Sequence, residues 1–225
     1  YYERNAPKMH YREGPKAAVG DLNGDGLEDI YIGGTAGHPG QVYLQTVTGG
    51  FEKKAEPVFD QFSDFEDEAV LFFDADHDGD LDLFVGPGGN NSQPFSRQMQ
   101  NRLYLNDGKG NFRRSNGSVP RIYDNKSCVI PFDIDGDGDL DLFVGGRVVR
   151  FQYGISPNSY LLVNDGKGHF LDKTDALAPG LKQLGMVTDA VWADMDGDKQ
   201  NDLVVAGDWM PITVFVNKKG HLQKA

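Results

Sequence analysis

The sequence predicts an all-β protein, a β-propeller or propeller segment of four four-stranded blades. Three observations carry this expectation. A nonapeptide of alternating aspartates occurs four times, starting at residues 21, 74, 133 and 194. Each copy lies between two short apolar runs, and a second pair of strand-like runs joined by a turn follows it. The spacings of 53, 59 and 61 residues suit a four-stranded blade, whereas a solenoid of β-coils repeats over far fewer residues.

Residues 1–16 are polar and irregular, with Tyr1, Tyr2 and Tyr11 among charges, and are expected to form a connector or edge segment. The blades are expected over 17–56, 69–114, 128–173 and 189–225. In the first, strand 17–20 enters the loop 21–29, strand 30–34 leaves it, and 41–45 pairs with 51–54 through Thr48-Gly49-Gly50. The second repeats this order with 69–73, loop 74–82, 83–86, then 102–105 and 111–113 around Asn106-Asp107-Gly108-Lys109-Gly110. The third runs 129–132, loop 133–141 and 142–146, then 160–163 and 169–171 around a second Asn-Asp-Gly-Lys-Gly turn. The fourth runs 190–193, loop 194–202, 203–206, 212–216 and 221–223. Strands such as Leu142-Phe143-Val144 and Leu203-Val204-Val205-Ala206 are apolar throughout, as expected where both faces of a sheet are covered. Four blades can close a small ring or form part of a larger one.

The loop Asp133-Ile134-Asp135-Gly136-Asp137-Gly138-Asp139-Leu140-Asp141 shows the chemistry best. A curled loop of this length turns every second side chain toward one point. Converging carboxylates raise one another's pKa and destabilise a fold unless a cation neutralises them. Calcium suits such a site because it takes 6–8 oxygen ligands at loosely defined angles. The competing reading of any single loop is an Asx-rich turn without metal, since Asp-Gly is a common turn signal; four copies in register favour calcium.

The charge balance agrees. The chain of 225 residues carries a net charge of −12, which disfavours nucleic acid as a partner. The four loops hold 15 aspartates at alternating positions; removing these from the 34 acidic residues leaves 19, against 22 Lys and Arg. The acidity is therefore local. No apolar run approaches the 18 residues of a membrane span. The segment Tyr1-Tyr2-Glu3-Arg4 has neither an initiator Met nor a signal segment, so a processed or excised piece of a longer chain is expected. The lone Cys128, in an apolar run, is expected to be a buried structural thiol.

The order apolar strand, Asp-x-Asp/Asn-x-Asp-Gly-x-x-Asp, apolar strand ending in Gly-Gly resembles the FG-GAP/VCBS repeat, the calcium-loop blade of integrin-α-like propellers. The segments 13–21 and 207–212 are similar to bacterial cell-surface VCBS-repeat proteins, including ones of Bacteroidetes type. The resemblance spans residues 17–225. It implies side-chain ligands at positions 1, 3, 5 and 9 and a backbone carbonyl at position 7. Carried over, the sets are Asp21, Asn23, Asp25, Leu27 and Asp29; Asp74, Asp76, Asp78, Asp80 and Asp82; Asp133, Asp135, Asp137, Asp139 and Asp141; and Asp194, Asp196, Asp198, Gln200 and Asp202. Up to four calcium ions are implied. The fourth loop departs from the pattern: Lys199 stands where the others have Gly26, Gly79 and Gly138, so its site is expected to be the weakest or empty. The family's usual seven or so blades favour further blades in a longer chain.

The expected function is that of an extracellular or cell-surface binding or scaffolding module for protein or glycan. The alternative is the propeller domain of, or accessory to, a carbohydrate-active enzyme such as a polysaccharide lyase. Catalysis finds little support: the five histidines are scattered, and no nucleophile elbow, zinc motif or phosphate loop occurs. His77, at position 4 of its loop, is expected to point away from the metal. Recognition is expected on the rim insertions 87–101 and 147–159. There Phe95, Arg97, Arg147, Arg150, Phe151 and Tyr153 form either an aromatic and basic contact surface or loop anchors. Trp192 and Trp209 are expected in the core.

Overall fold

The computed structural model describes residues 14–89, 95–150, 152 and 154–225. The expectation for residues 1–13 lies outside them, as do Phe151 and Tyr153. Among the described residues, sixteen strands form four separate four-stranded antiparallel sheets, each a simple meander. The first contains β1 (Ala17–Gly20), β2 (Asp29–Ile32), β3 (Gln41–Gln45) and β4 (Phe51–Lys54). The second contains β5 (Asp67–Phe73), β6 (Asp82–Pro87), β7 (Arg102–Leu105) and β8 (Arg113–Ser115). The third contains β9 (Lys126–Phe132), β10 (Asp141–Gly146), β11 (Tyr160–Asn164) and β12 (Phe170–Asp172). The fourth contains β13 (Met186–Ala193), β14 (Asp202–Asp208), β15 (Thr213–Lys218) and β16 (His221–Lys224). Short helical turns at Pro57–Phe62, Thr174–Leu177 and Pro179–Leu181 lie in the connections between sheets.

The sheets stack in sequence, with first strands adjacent: β1 by β5, β5 by β9, β9 by β13. Strand periodicity divides the core. On β6, Leu83 and Val85 face the first sheet with Tyr31, Val42 and Phe59, while Phe84 faces the third. On β10, Leu142 and Val144 face the second sheet and Phe143 the fourth. Successive side chains of a strand point to opposite faces, so a strand covered on both sides reads as an unbroken apolar run. Each such side chain contributes about 1.5–3 kcal/mol by leaving water.

Charges are buried in two seams. Asp67 opens β5 and holds Arg102 through an ion pair, while its other oxygen accepts from the Tyr31 hydroxyl (3.0 Å) and the Gly34 N–H (2.7 Å). The guanidinium lies over Phe62 and Phe65, with 4.5 Å to the nearer centroid. In β9, the buried Lys126 ammonium donates to the carbonyls of Ile122 (3.0 Å), Met99 (3.4 Å) and Asp124, tying the second-to-third connection to the strand. Burial pulls its pKa down to about 7.

Cys128 is half-buried, and burial pushes its thiol up to about 11, so it is an inert side chain. Trp192 stacks on Phe132 with centroids 4.6 Å apart, as a core residue does. Trp209 corrects the sequence expectation: it is 74% exposed. It follows β14 with φ at 56°, which turns the ring out of the sheet and against Gly154.

Candidate calcium loops

Each acidic loop joins the first two strands of its sheet and is folded by its own aspartates. Position 1 gathers the loop's N–H groups: Asp21 accepts from Gly24 and Gly26, Asp74 from His77 and Gly79, Asp133 from Gly136 and Gly138, Asp194 from Gly197 and Lys199, all at 2.7–3.0 Å. Position 5 accepts from position 7, so Leu27, Asp80, Asp139 and Gln200 are drawn in by Asp25, Asp78, Asp137 and Asp198. This curl requires left-handed backbone at positions 4 and 6. Glycine supplies it at six of the eight places; His77 (φ 64°) and Lys199 (φ 71°) are the exceptions, each at about 1 kcal/mol or more. The left-handed backbone that glycine favours is thus kept at Lys199, and His77 shares it.

Position 9 is buried in every loop and works as a clasp. Asp29, Asp82, Asp141 and Asp202 accept the N–H of position 2 (Leu22, Ala75, Ile134, Met195) on one oxygen. The other takes the N–H of a third-strand or following residue (Gln45, Asn106, Asn164, Asn217) at 2.8 Å. Two of those asparagines continue across the seam, Asn106 Nδ2 donating to Leu22 O and Asn164 Nδ2 to Ala75 O, both at 2.9 Å. The sequence reading assigned these asparagines only to a turn. Their recurrence opposite the loop at the start of Asn-Asp-Gly-Lys-Gly was the available signal.

Among the described residues the structure brings together three carboxylates in each of the last three loops, leaving Asp82, Asp137 and Asp198 outside these groups. Oxygens of Asp74, Asp76 and Asp78, of Asp133, Asp135 and Asp141, and of Asp194, Asp196 and Asp202 lie within 4.8 Å of one another. In the first loop Asn23 takes position 3, accepting from the Asp25 N–H (3.0 Å) and donating to its carboxylate (3.1 Å). Burial, then the neighbouring Asp78 and Asp74, push Asp76 above the usual carboxylate range; burial and Asp137 do the same to Asp135. Burial raises the clasps Asp82 to about 7 and Asp141 to about 6. Asp76 Oδ1 is buried and accepts no hydrogen bond. A hard cation with oxygen ligands fits this donor set: it would neutralise the crowded carboxylates and satisfy the open oxygen. In the fourth loop the sign reverses, because Lys218 donates to Asp196 and holds it below the usual range.

His77 does turn outward from its own loop, but it reaches the next: its Nδ1 lies 2.9 Å from Asp139 Oδ1, which raises the imidazole pKa. Between the third and fourth loops is an open groove of about 410 Å³, lined by Phe132, Asp135, Lys199, Asn201 and Lys219 among others.

Among the described residues of the rim insertions, two of the three arginines are buried, in keeping with the loop-anchor reading. Arg147 is buried and ion-paired with Asp208 of β14 at 2.7 Å. Arg150 is buried, and Arg97 donates to Gln61 O (2.6 Å) while covering Phe62 and Phe65. Arg147 thus anchors its connection to the fourth sheet, and Arg97 ties its turn to the connection that carries Gln61. Of the rim residues named, Phe95 and Arg97 are exposed, Phe95 lying against Tyr123.

No curated protein sequence matches the chain. Among solved structures, an Agrocybe aegerita lectin described as recognising non-reducing terminal N-acetylglucosamine is similar in fold. The TM-score is 0.55 at 19% identity, over 94% of this chain and 51% of that one. The V. cholerae biofilm matrix protein Bap1 gives a TM-score of 0.43 at 16% identity, over 93% of this chain and 30% of that one. The chain thus spans about half the length of the lectin. Residues 21–85 and 90–144 match the FG-GAP-like repeat, and with the loop and its two strands recurring in all four sheets, the chain belongs to the FG-GAP-like repeat family.

Proposed function

We propose that the four sheets are blades of a calcium-stabilised, extracellular β-propeller whose role is recognition rather than catalysis. The observation that carries the proposal is the recurrence of one acidic loop in the same place in every sheet. At that place it joins two strands and, through its position-9 clasp, a third. Calcium would be held by positions 1, 3, 5 and 9 and the position-7 carbonyl in the first three loops. Its charge would relieve the repulsion felt by Asp76 and Asp135, and binding to the folded state alone stabilises by mass action. Calcium here is structural.

The propeller reading is supported by the sequential stacking of sheets through their first strands. It is also supported by the apolar residues left open on the outward faces of the first and fourth sheets, Val19 and Ile32 on one side, Val191 on the other. Further blades of the same kind would cover them. The ligand region best suited to a polar partner such as a glycan is the groove between the third and fourth loops, where Phe132 offers an aromatic edge beside amide and ammonium donors. The fold likeness to a lectin agrees with such a role.

The test has two parts. EDTA should lower the melting temperature and added calcium restore it; an unchanged melting temperature defeats structural calcium. A glycan array should then give hits that weaken on Asn201→Ala, a groove residue outside the loops' ligand positions. Release of new reducing ends or unsaturated products from the best hit would replace the binding role with an enzymatic one.

A further inference from the structure

The fourth loop differs from the others at two places, and both bring a cation. Lys199 stands at position 6, its N–H on Asp194. The second is Lys218, the residue after the asparagine that meets the clasp. The corresponding residue is Thr46 in the first sheet, Asp107 in the second and Asp165 in the third, so none of the other sheets places a base there. The Lys218 ammonium lies 3.1 Å from Asp196 Oδ2 and 3.5 Å from Asp198 Oδ2, across positions 3 and 5.

The hydrogen bonds of the loop close around it. Asp202 uses both oxygens on Met195 and Asn217. Asp194 uses both on Gly197 and Lys199. The remaining oxygens of Asp196 and Asp198 accept from Asp198 N and Gln200 N. All eight carboxylate oxygens of the fourth loop therefore have a partner within the protein; the six of the first loop do too, but there the partner spanning positions 3 and 5 is the neutral Asn23 amide and no ammonium is involved. The second loop has the same four aspartates, yet Asp76 Oδ1 is left without one. In the second loop the open oxygen needs an outside ligand; in the fourth the protein supplies the counter-ion.

We propose that Lys218 is the resident cation of the fourth loop, so that this sheet is stapled by an internal ammonium and does not take up calcium. A divalent ion entering between positions 3 and 5 would have to displace the ammonium from two carboxylates, and would then sit near two lysines. This inference rests on the reading of the other loops as calcium sites, but its decisive quantity is a difference between proteins that does not depend on them.

Native mass spectrometry in calcium counts the ions held by the wild type and by Lys199→Gly/Lys218→Asp, which gives the fourth loop the residue types of the second and third. The double variant is expected to hold one ion more than the wild type. An equal count overturns the proposal, as does a wild type that already holds four. Lys218→Met removes the ammonium alone and guards against misfolding of the double variant; it too should gain one ion, with an unchanged count counting against the proposal. A wild type with no ions would defeat calcium in the first three loops, while the gain or absence of gain in the variants would still decide the role of Lys218.

Discussion

Position 2 of the loops gives the clearest comparison between the interior seams and the outward faces. Leu22, Ala75 and Ile134 occupy it in the first three sheets and are 1%, 1% and 3% exposed, each covered by the sheet that follows. Met195 occupies the same slot in the fourth sheet, with the same backbone hydrogen bond to its clasp, and is 55% exposed. Val191 on β13 is 55% exposed, whereas Ile130, at the matching place on β9, packs into the third seam. Local structure is thus set by the loop's own aspartates and is alike in all four sheets. Burial is set by the neighbouring sheet, so stability in this architecture resides in the seams.

The largest expected loss comes from breaking the charge in the first seam. Arg102→Met leaves Asp67 buried with only the Tyr31 and Gly34 donors, and uncompensated buried charges cost about 3–5 kcal/mol. Chemical denaturation of the variant should show this as a lower midpoint. A loss below about 1 kcal/mol would mean that the aromatic surroundings, not the ion pair, hold the seam. Next is Ile134→Ala, which opens a cavity in the third seam. Truncations of this kind cost about 2–5 kcal/mol, read from the same denaturation curves.

Much of this was legible in the sequence. The four loops, their strands and the period came directly from the aspartate spacing, because the loop's fold is written in its own side chains. The seams were legible only as unbroken apolar runs. What was not legible depends on residues distant in the chain. For Arg147 and Arg150 the sequence left contact surface and loop anchor open; both are buried, and the choice was not legible because Asp208, the partner of Arg147, lies 61 residues away. Trp209 was expected in the core because it flanks the inner strands of the fourth sheet, but it is exposed, with a left-handed backbone at that residue. Lys199 gave half of the fourth loop's peculiarity; Lys218 came to light only when β15 placed it across Asp196 and Asp198.

A pH titration sharpens the comparison inside the seams. Asp82 and Asp141 have folded pKa values of about 7 and about 6, above the ordinary 3.8. Between pH 4 and 7 the folded calcium-free protein therefore binds more protons at these clasps than the unfolded chain does. Their contribution to stability is fully present below pH 4 and is lost as pH rises through 6 and 7. In EDTA, the melting temperature should thus fall by a few degrees between pH 5 and pH 7, below the range in which the neutral Lys126 adds stability. Saturating calcium, which favours the ionised clasps, should flatten or reverse the trend. A calcium-free protein that gained stability over that range would show the clasps ionised by their backbone donors alone.

The smallest effect is expected where the comparison began. Met195→Ala removes a side chain with the sequence position of Ile134 but without a sheet above it. Its backbone N–H to Asp202 is untouched, so the loop keeps its fold. Surface substitutions of this kind usually stay within about 0.5 kcal/mol, and the denaturation midpoint should move by no more than that. The same pair of truncations measured side by side separates slot from seam. If Met195→Ala cost as much as Ile134→Ala, position 2 would stabilise through the loop itself, and the neighbouring sheet would be incidental. A near-neutral Met195→Ala beside a costly Ile134→Ala assigns the stability to the sheet-to-sheet contact, and a unit docking on the fourth sheet would then raise the cost at Met195 toward that at Ile134.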